Sequence, residues 1–151
     1  MGMYTKFNVI LPIKRNTPTI IKEIIIDIID NGEEKINCGE LKKPNHKFFN
    51  SDYFAPHNNS FYFTGTSNTK IKYCSVINKN NEFVLHIDCD FKNYDDNINN
   101  FLDFIAPYVK SNYEPRFLGY SLYEECINPI LYYLTPNNKI ISFQTNDINE
   151  Y

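Results

Sequence analysis

The chain has 151 residues, 42% of them hydrophobic and 22% charged, which suits one domain with a single buried core and argues against global disorder. A formal charge of −3, only two arginines (Arg15 and Arg116) and no basic run longer than two residues argue against a general nucleic-acid binder, which needs clustered Lys and Arg against phosphate. No apolar run reaches transmembrane length and the N-terminus reads as a strand rather than a signal peptide, so no membrane association and a cytoplasmic location are expected.

Met1-Gly2 reads as a cloning scar before a native Met3, and Lys6 breaks the myristoylation pattern. Thr5 to Ile13 alternates, with Phe7, Val9 and Leu11 on one side, and reads as a first strand that Pro12 confines to an edge or to its own end. A helix follows from Pro18 to Asp30, with Thr17 as N-cap, Pro18 at N1 and Asn31-Gly32 as its stop. Ile20, Ile21, Ile24, Ile25 and Ile28 form its apolar stripe. So many β-branched residues hold a helix only when it is buried against something, here a sheet. The polar stretch Glu33 to Ser60, with aromatic pairs Phe48-Phe49 and Tyr53-Phe54, reads as a long loop of functional or mobile character.

Three strands are expected next, Ser60 to Thr64, Thr69 to Ile77 and Glu82 to Phe91, joined by four-residue turns. The third alternates cleanly: Phe83, Leu85, Ile87, Cys89 and Phe91 face the core, and Val84, His86, Asp88 and Asp90 face away. A second helix begins at Asp95 or Asp96 and carries Ile98, Phe101, Leu102, Ile105, Tyr108 and Val109 on one stripe, with Pro107 kinking or ending it. Phe117 to Leu134 reads as two strands turned near Asn128-Pro129, with Leu118, Tyr120, Leu122 and Glu124 sharing a side, and Lys139 to Phe143 as the last. Thr145 to Tyr151 is a polar tail expected to fray. The order β-α-β-β-β-α-β-β-β gives a single α+β domain over 1–151, two helices on one face of a largely antiparallel sheet.

Chemistry-bearing residues are sparse. His86, Asp88 and Asp90 share one face of a strand, and a His with two carboxylates suits Mn or Fe. Successive same-face positions lie about 7 Å apart, however, which favours a solvent-facing polar side over a metal cluster. Glu124 and Glu125 invite an acid/base reading, but consecutive strand residues point apart. Cys38 with His46 and His57 has no local nucleophile signature, and CxxC, GxGxxG, GxxxxGK, GxSxG and HExxH are all absent. No cofactor and no metal is expected. The cysteines Cys74, Cys89 and Cys126 are expected to be free and largely buried thiols, as suits a reducing compartment. With no Trp, the twelve Phe and twelve Tyr supply the aromatic volume, and Tyr adds a polar tip useful at interfaces. Asn and Ile together make up roughly a quarter of the chain, a bias pointing to an AT-rich, low-GC or horizontally acquired gene.

The strings FLGYSLYEECINPILYYL (Phe117 to Leu134), FKNYD (Phe91 to Asp95) and FLDFIAPY resemble a group of small bacterial proteins similar to the immunity proteins encoded beside polymorphic or contact-dependent toxins. The resemblance covers the C-terminal half and carries no catalytic signature. It implies a non-catalytic, bacterial protein that neutralises a cognate toxin domain by direct binding, and a basic toxin domain would suit the acidic chain. The alternatives are a phage or mobile-element anti-defence protein, a small metal-dependent enzyme using His86, Asp88 and Asp90, and a scaffold subunit. An open sheet face with Tyr123, Glu125 and, across the hairpin, Tyr132, together with His86, Asp88 and Asp90, is the expected partner-binding surface.

Overall fold

The computed structural model describes residues 4–29, 45–50, 69–79, 82–91 and 96–144. In chain order the elements are β1 (Thr5–Ile13), α1 (Thr19–Ile29), a 3-10 turn (Lys47–Asn50), β2 (Thr69–Lys79), β3 (Glu82–Phe91), α2 (Asn97–Ile105), a second 3-10 turn (Ala106–Tyr108), β4 (Arg116–Tyr123), β5 (Ile130–Leu134) and β6 (Ile140–Gln144). The strands form one six-stranded sheet in the order β2-β3-β1-β4-β5-β6, antiparallel throughout. This is the expected α+β fold. The strand expected at 60–64, the loop tyrosine and phenylalanine at 53–54 and the tail at 145–151 lie outside the described residues.

β1 is the hub rather than an edge. It pairs with β3 along its whole length and with β4 from Thr5 to Val9. Pro12 is tolerated because it is the penultimate residue, beyond the β4 pairing, where its carbonyl accepts the Lys110 N–H at 2.8 Å. Ile13 bridges Val109, and the Lys14 N–H donates to the Tyr108 carbonyl at 2.8 Å, so the end of β1 is closed by the chain leaving α2.

Alternation along β1 and β3 sends Phe7, Val9, Leu11 and Ile13, with Phe83, Leu85, Ile87 and Cys89, into one core. Both helices seal that side. α1 contributes Ile21, Ile24 and Ile25 and α2 contributes Ile98, Phe101, Leu102, Phe104 and Ile105. Ile20, expected on the buried stripe, is instead exposed. The apolar arc of α1 is centred on the 21/24/25 edge, and position 20 falls outside it. The expected Thr17 cap is also not made: Thr17 is buried, its Oγ1 has no hydrogen-bond partner, and the helix opens on the Pro18 carbonyl, which accepts from Ile21 and Lys22. α2 ends at Ile105, two residues before Pro107, as the missing amide of proline requires.

The strands β4 and β5 correct one expectation. Register slips between Phe117 and Gly119, so Leu118 and Gly119 both turn toward the core and every later β4 residue changes side. Ser121, opposite Phe7, is buried, while Tyr120 and Leu122 lie opposite Asn8 and Lys6 on the other face. Gly119 makes the bulge possible. Its φ of +149° is one that side chains rarely adopt, and an added Cβ would lie 2.0 Å from the Asn8 carbonyl oxygen.

Candidate protein-binding face

Helices cover one side of the sheet, and no described element covers the other. That open face has two halves, set by alternation and register. On β3 and β1, Asp90 lies opposite Lys6, Asp88 opposite Asn8 and His86 opposite Ile10. On β4, β5 and β6, Tyr120 lies opposite Leu131, Phe117 opposite Tyr133, Phe143 opposite Leu131 and Ile141 opposite Tyr133. The first half is mostly polar, with Asp88 and Asp90 beside Lys6, Asn8 and His86, and turns apolar at Ile10, Pro12 and Val84. The second is apolar and aromatic.

The aromatic half is a connected ladder. The Phe117 and Tyr133 ring centroids are 5.3 Å apart, and Tyr133 meets Phe143 edge-on at 5.9 Å. These are not rings hidden under a neighbour: Phe117 is 53% exposed, Phe143 55%, and Ile10, at the junction of the two halves, 51%. A contiguous exposed apolar patch rimmed by polar residues is the usual mark of an interaction site.

The expected site residues divide. His86, Asp88 and Asp90 do lie on the open face, partly buried, strung along β3. Among the described residues no group of three His, Cys, Asp or Glu is placed to hold a metal ion. Oδ1 of Asp88 is shielded from solvent without a hydrogen-bond partner. Tyr132 is corrected: it is 2% exposed, in the core, with its hydroxyl 2.7 Å from Ser121 Oγ. Burial raises the Tyr132 hydroxyl above the usual phenol value, the Ser121 hydrogen bond opposes this, and Asp96 adds to it.

Tyr123 and Glu125 are also displaced. Tyr123 pairs with Thr5, whose side chain is buried, so the bulge has moved it to the helix side of the rim. Glu124 and Glu125 then form a turn closed by Cys126 N–H on the Tyr123 carbonyl at 2.8 Å. Glu124 Oε2 accepts the Tyr4 N–H at 2.9 Å, and the Glu124 N–H donates back to the Tyr4 carbonyl at 3.0 Å, which gives this glutamate a structural task. Desolvation and the neighbouring Glu125, Cys126 and Glu124 push the Tyr123 hydroxyl up. Cys89 is a buried free thiol as expected, but Cys126, on that turn, is an exposed one.

On the helix side, His46 accepts the Phe48 N–H through Nδ1 at 3.1 Å, which leaves Nε2 protonated to donate to Asp103 Oδ2 at 3.1 Å. Phe48 stacks on Phe104 with 5.6 Å between centroids. His46 thus fastens the 45–50 segment to α2. Cys38 and His57, weighed as its catalytic partners, lie outside the described residues. A polar cleft of about 280 Å³ beside it is lined by Lys47, Asn99, Asp103, Tyr132 and Ser142 together with Leu102 and Ile140. Among the described residues no helix is long and apolar enough to cross a membrane.

The apolar half of the face is the part that sequence reasoning misses, although a signal is present. ILYYL and IISFQ carry large apolar residues on both alternations, whereas a strand with one wet face alternates. With this geometry in hand, comparison with family models, curated proteins and solved structures finds no match to the chain.

Proposed function

We propose that the chain is a non-catalytic protein-binding protein, an immunity protein that neutralises a cognate toxin domain, and that it binds through the open face of its sheet. The observation that supports this reading is the pairing of an aromatic ladder with exposed ends (Phe117, Tyr133, Phe143) with two carboxylates (Asp88, Asp90) on one surface that no described element covers. Rings supply the buried contact area of an interface, and carboxylates at its border steer and orient a basic partner. The formal charge of −3 agrees in sign. His86, Asp88 and Asp90 act here as recognition groups, since their spacing along β3 does not bring three donors to one point.

The test is a titration against the protein encoded by the adjacent gene, with Phe117→Ala and Asp90→Lys in chains shown to remain folded. A loss of about 2 kcal/mol, roughly 30-fold in affinity, is expected from Phe117→Ala, with a slower association from Asp90→Lys. Tyr123→Ala and Glu125→Lys report on the rim, and smaller losses are expected there. Undiminished affinity in both face variants would overturn this placement. An adjacent phage early gene in place of a toxin gene would instead favour the anti-defence reading with the same surface.

A further inference from the structure

Among the described strands the sheet ends on β2 and β6, and these two differ. The sequence of β2 includes Lys70, Lys72 and Lys79, and its pairing with β3 shifts register between Ile71 and Tyr73; lysines and bulges are features that keep strand edges from pairing with another chain. β6, Ile140–Gln144, carries no charge, no proline and no bulge, and Ile141 to Gln144 are all exposed. No described residue pairs with its outer side.

The backbone alternation of that edge can be worked out. The Thr135 N–H donates to the Lys139 carbonyl at 2.8 Å, and the register continues outward through Leu134 opposite Ile140 and Tyr133 opposite Ile141. Hydrogen-bonded and non-hydrogen-bonded pairs alternate in an antiparallel ladder. Tyr133/Ile141 and Leu131/Phe143 are therefore the bonded pairs, and the N–H and C=O groups of Ile140, Ser142 and Gln144 point away from β5 toward the free edge.

We propose that this edge is a self-association site at which β6 pairs antiparallel with β6 of a second copy, about a two-fold axis through Ser142. The strand is self-complementary in that register. Ser142 meets Ser142 and Ile140 meets Gln144 as hydrogen-bonded pairs, so every outward backbone group of these residues finds a partner. Ile141 of one copy then lies opposite Phe143 of the other as a non-hydrogen-bonded pair, the closer kind, on the face where both are exposed. The ladder Phe117–Tyr133–Phe143 would run across the seam into its symmetry mate. The contact is isologous and closes at two copies. It uses the sheet edge and stands independently of the toxin-binding reading.

The experiment is analytical ultracentrifugation of the full chain between about 1 and 200 µM, a range that brackets ordinary micromolar association. Twice the chain mass is expected at the upper end. Ser142→Pro removes the edge-facing N–H without touching the β5 ladder and should weaken self-association at least about tenfold while the melting curve is retained. Ser142→Cys in a Cys126→Ser background offers a second readout that does not depend on that proline. The pairing brings the two Cα atoms about 5.5 Å apart, within disulfide range, so oxidation should give a covalent dimer, and a control Ser111→Cys should not. A wild-type chain monomeric to about 200 µM, a dimer indifferent to Ser142→Pro, or a failure of the Ser142→Cys chain to cross-link each overturns the proposal.

Discussion

A Cβ placed on Gly119 would lie 2.0 Å from the Asn8 carbonyl oxygen and 2.7 Å from the Val9 Cα, and neither backbone atom can swing aside as a side-chain tip can. Gly119→Ala must therefore push β4 off β1 while also straining a φ of +149°, at a cost of about 3 kcal/mol or more. Urea denaturation checks this, and a change below about 1 kcal/mol would mean that the bulge relaxes freely. Tyr132 is the second residue with a calculable effect. Tyr132→Phe deletes the 2.7 Å partner of buried Ser121 Oγ, for a loss of about 1–2 kcal/mol at neutral pH. Its raised hydroxyl also sets a sign: above pH 10 the folded chain holds that proton more tightly than the unfolded chain does. The stabilisation is complete below pH 10 and is lost as pH climbs toward the folded value. Stability measured from pH 9 to 11 should fall less steeply in Tyr132→Phe than in the wild type.

Among the elements, α1 gives the cleanest contrast. Ile24 is buried and Ile20, one turn before it, is exposed. Ile24→Ala should cost about 2–5 kcal/mol, while Ile20→Ala should stay near 0.5 kcal/mol or less, as read from paired denaturation curves. Equal losses would place the helix elsewhere. The elements whose signals are local were legible from sequence. The β3 alternation from Phe83 to Asp90 and the α2 positions Ile98, Phe101, Leu102 and Ile105, with the stop before Pro107, are set by periodicity and by a missing amide and stand in the structure; Phe104 is an added buried position, and Tyr108 and Val109 lie past the helix end. What escaped was set by tertiary contact. The phase of β4 turns on Gly119 approaching Asn8, so Tyr123 and Tyr132 could not be assigned a face by counting in twos. An isolated glycine inside a strand was nevertheless a bulge signal. Thr17 fails as a cap because the core takes its side chain. Cys126 is exposed because its hairpin end is a turn rather than strand. Asn138 belongs to the same group. Its side-chain amide donates to the Ala106 and Val109 carbonyls at 3.1 and 2.7 Å, which ties the β5–β6 turn to the end of α2.

At the scale of the whole molecule, two wings meet at β1. β2 and β3 attach on one side, and β4, β5 and β6 attach on the other, each wing following one helix in the chain. The wings touch the same core at Phe7, which lies opposite Cys89 of β3 and Ser121 of β4 and meets Phe101 of α2 and Tyr132 of β5 edge-on, at 6.4 and 6.3 Å. Opening either wing exposes the inner face of β1, and that face carries four fully buried apolar side chains, Phe7, Val9, Leu11 and Ile13. Sub-global opening at β1 therefore costs nearly as much as unfolding, whereas among the described residues β6 is held from one side only. Residue-resolved hydrogen exchange in low denaturant should show β1 amides exchanging at the global unfolding free energy with the full denaturant slope. In dilute protein, the β6 amides that face the edge (Ile140, Ser142 and Gln144) should exchange far faster than those of Ile141 and Phe143, which bond to β5. If β1 exchanged through an opening of lower energy and shallower slope, the wings would be separable units and the shared core would not couple them. The contrast within β6 reads the backbone alternation directly, so uniform exchange along that strand would contradict the register from which its free edge was deduced.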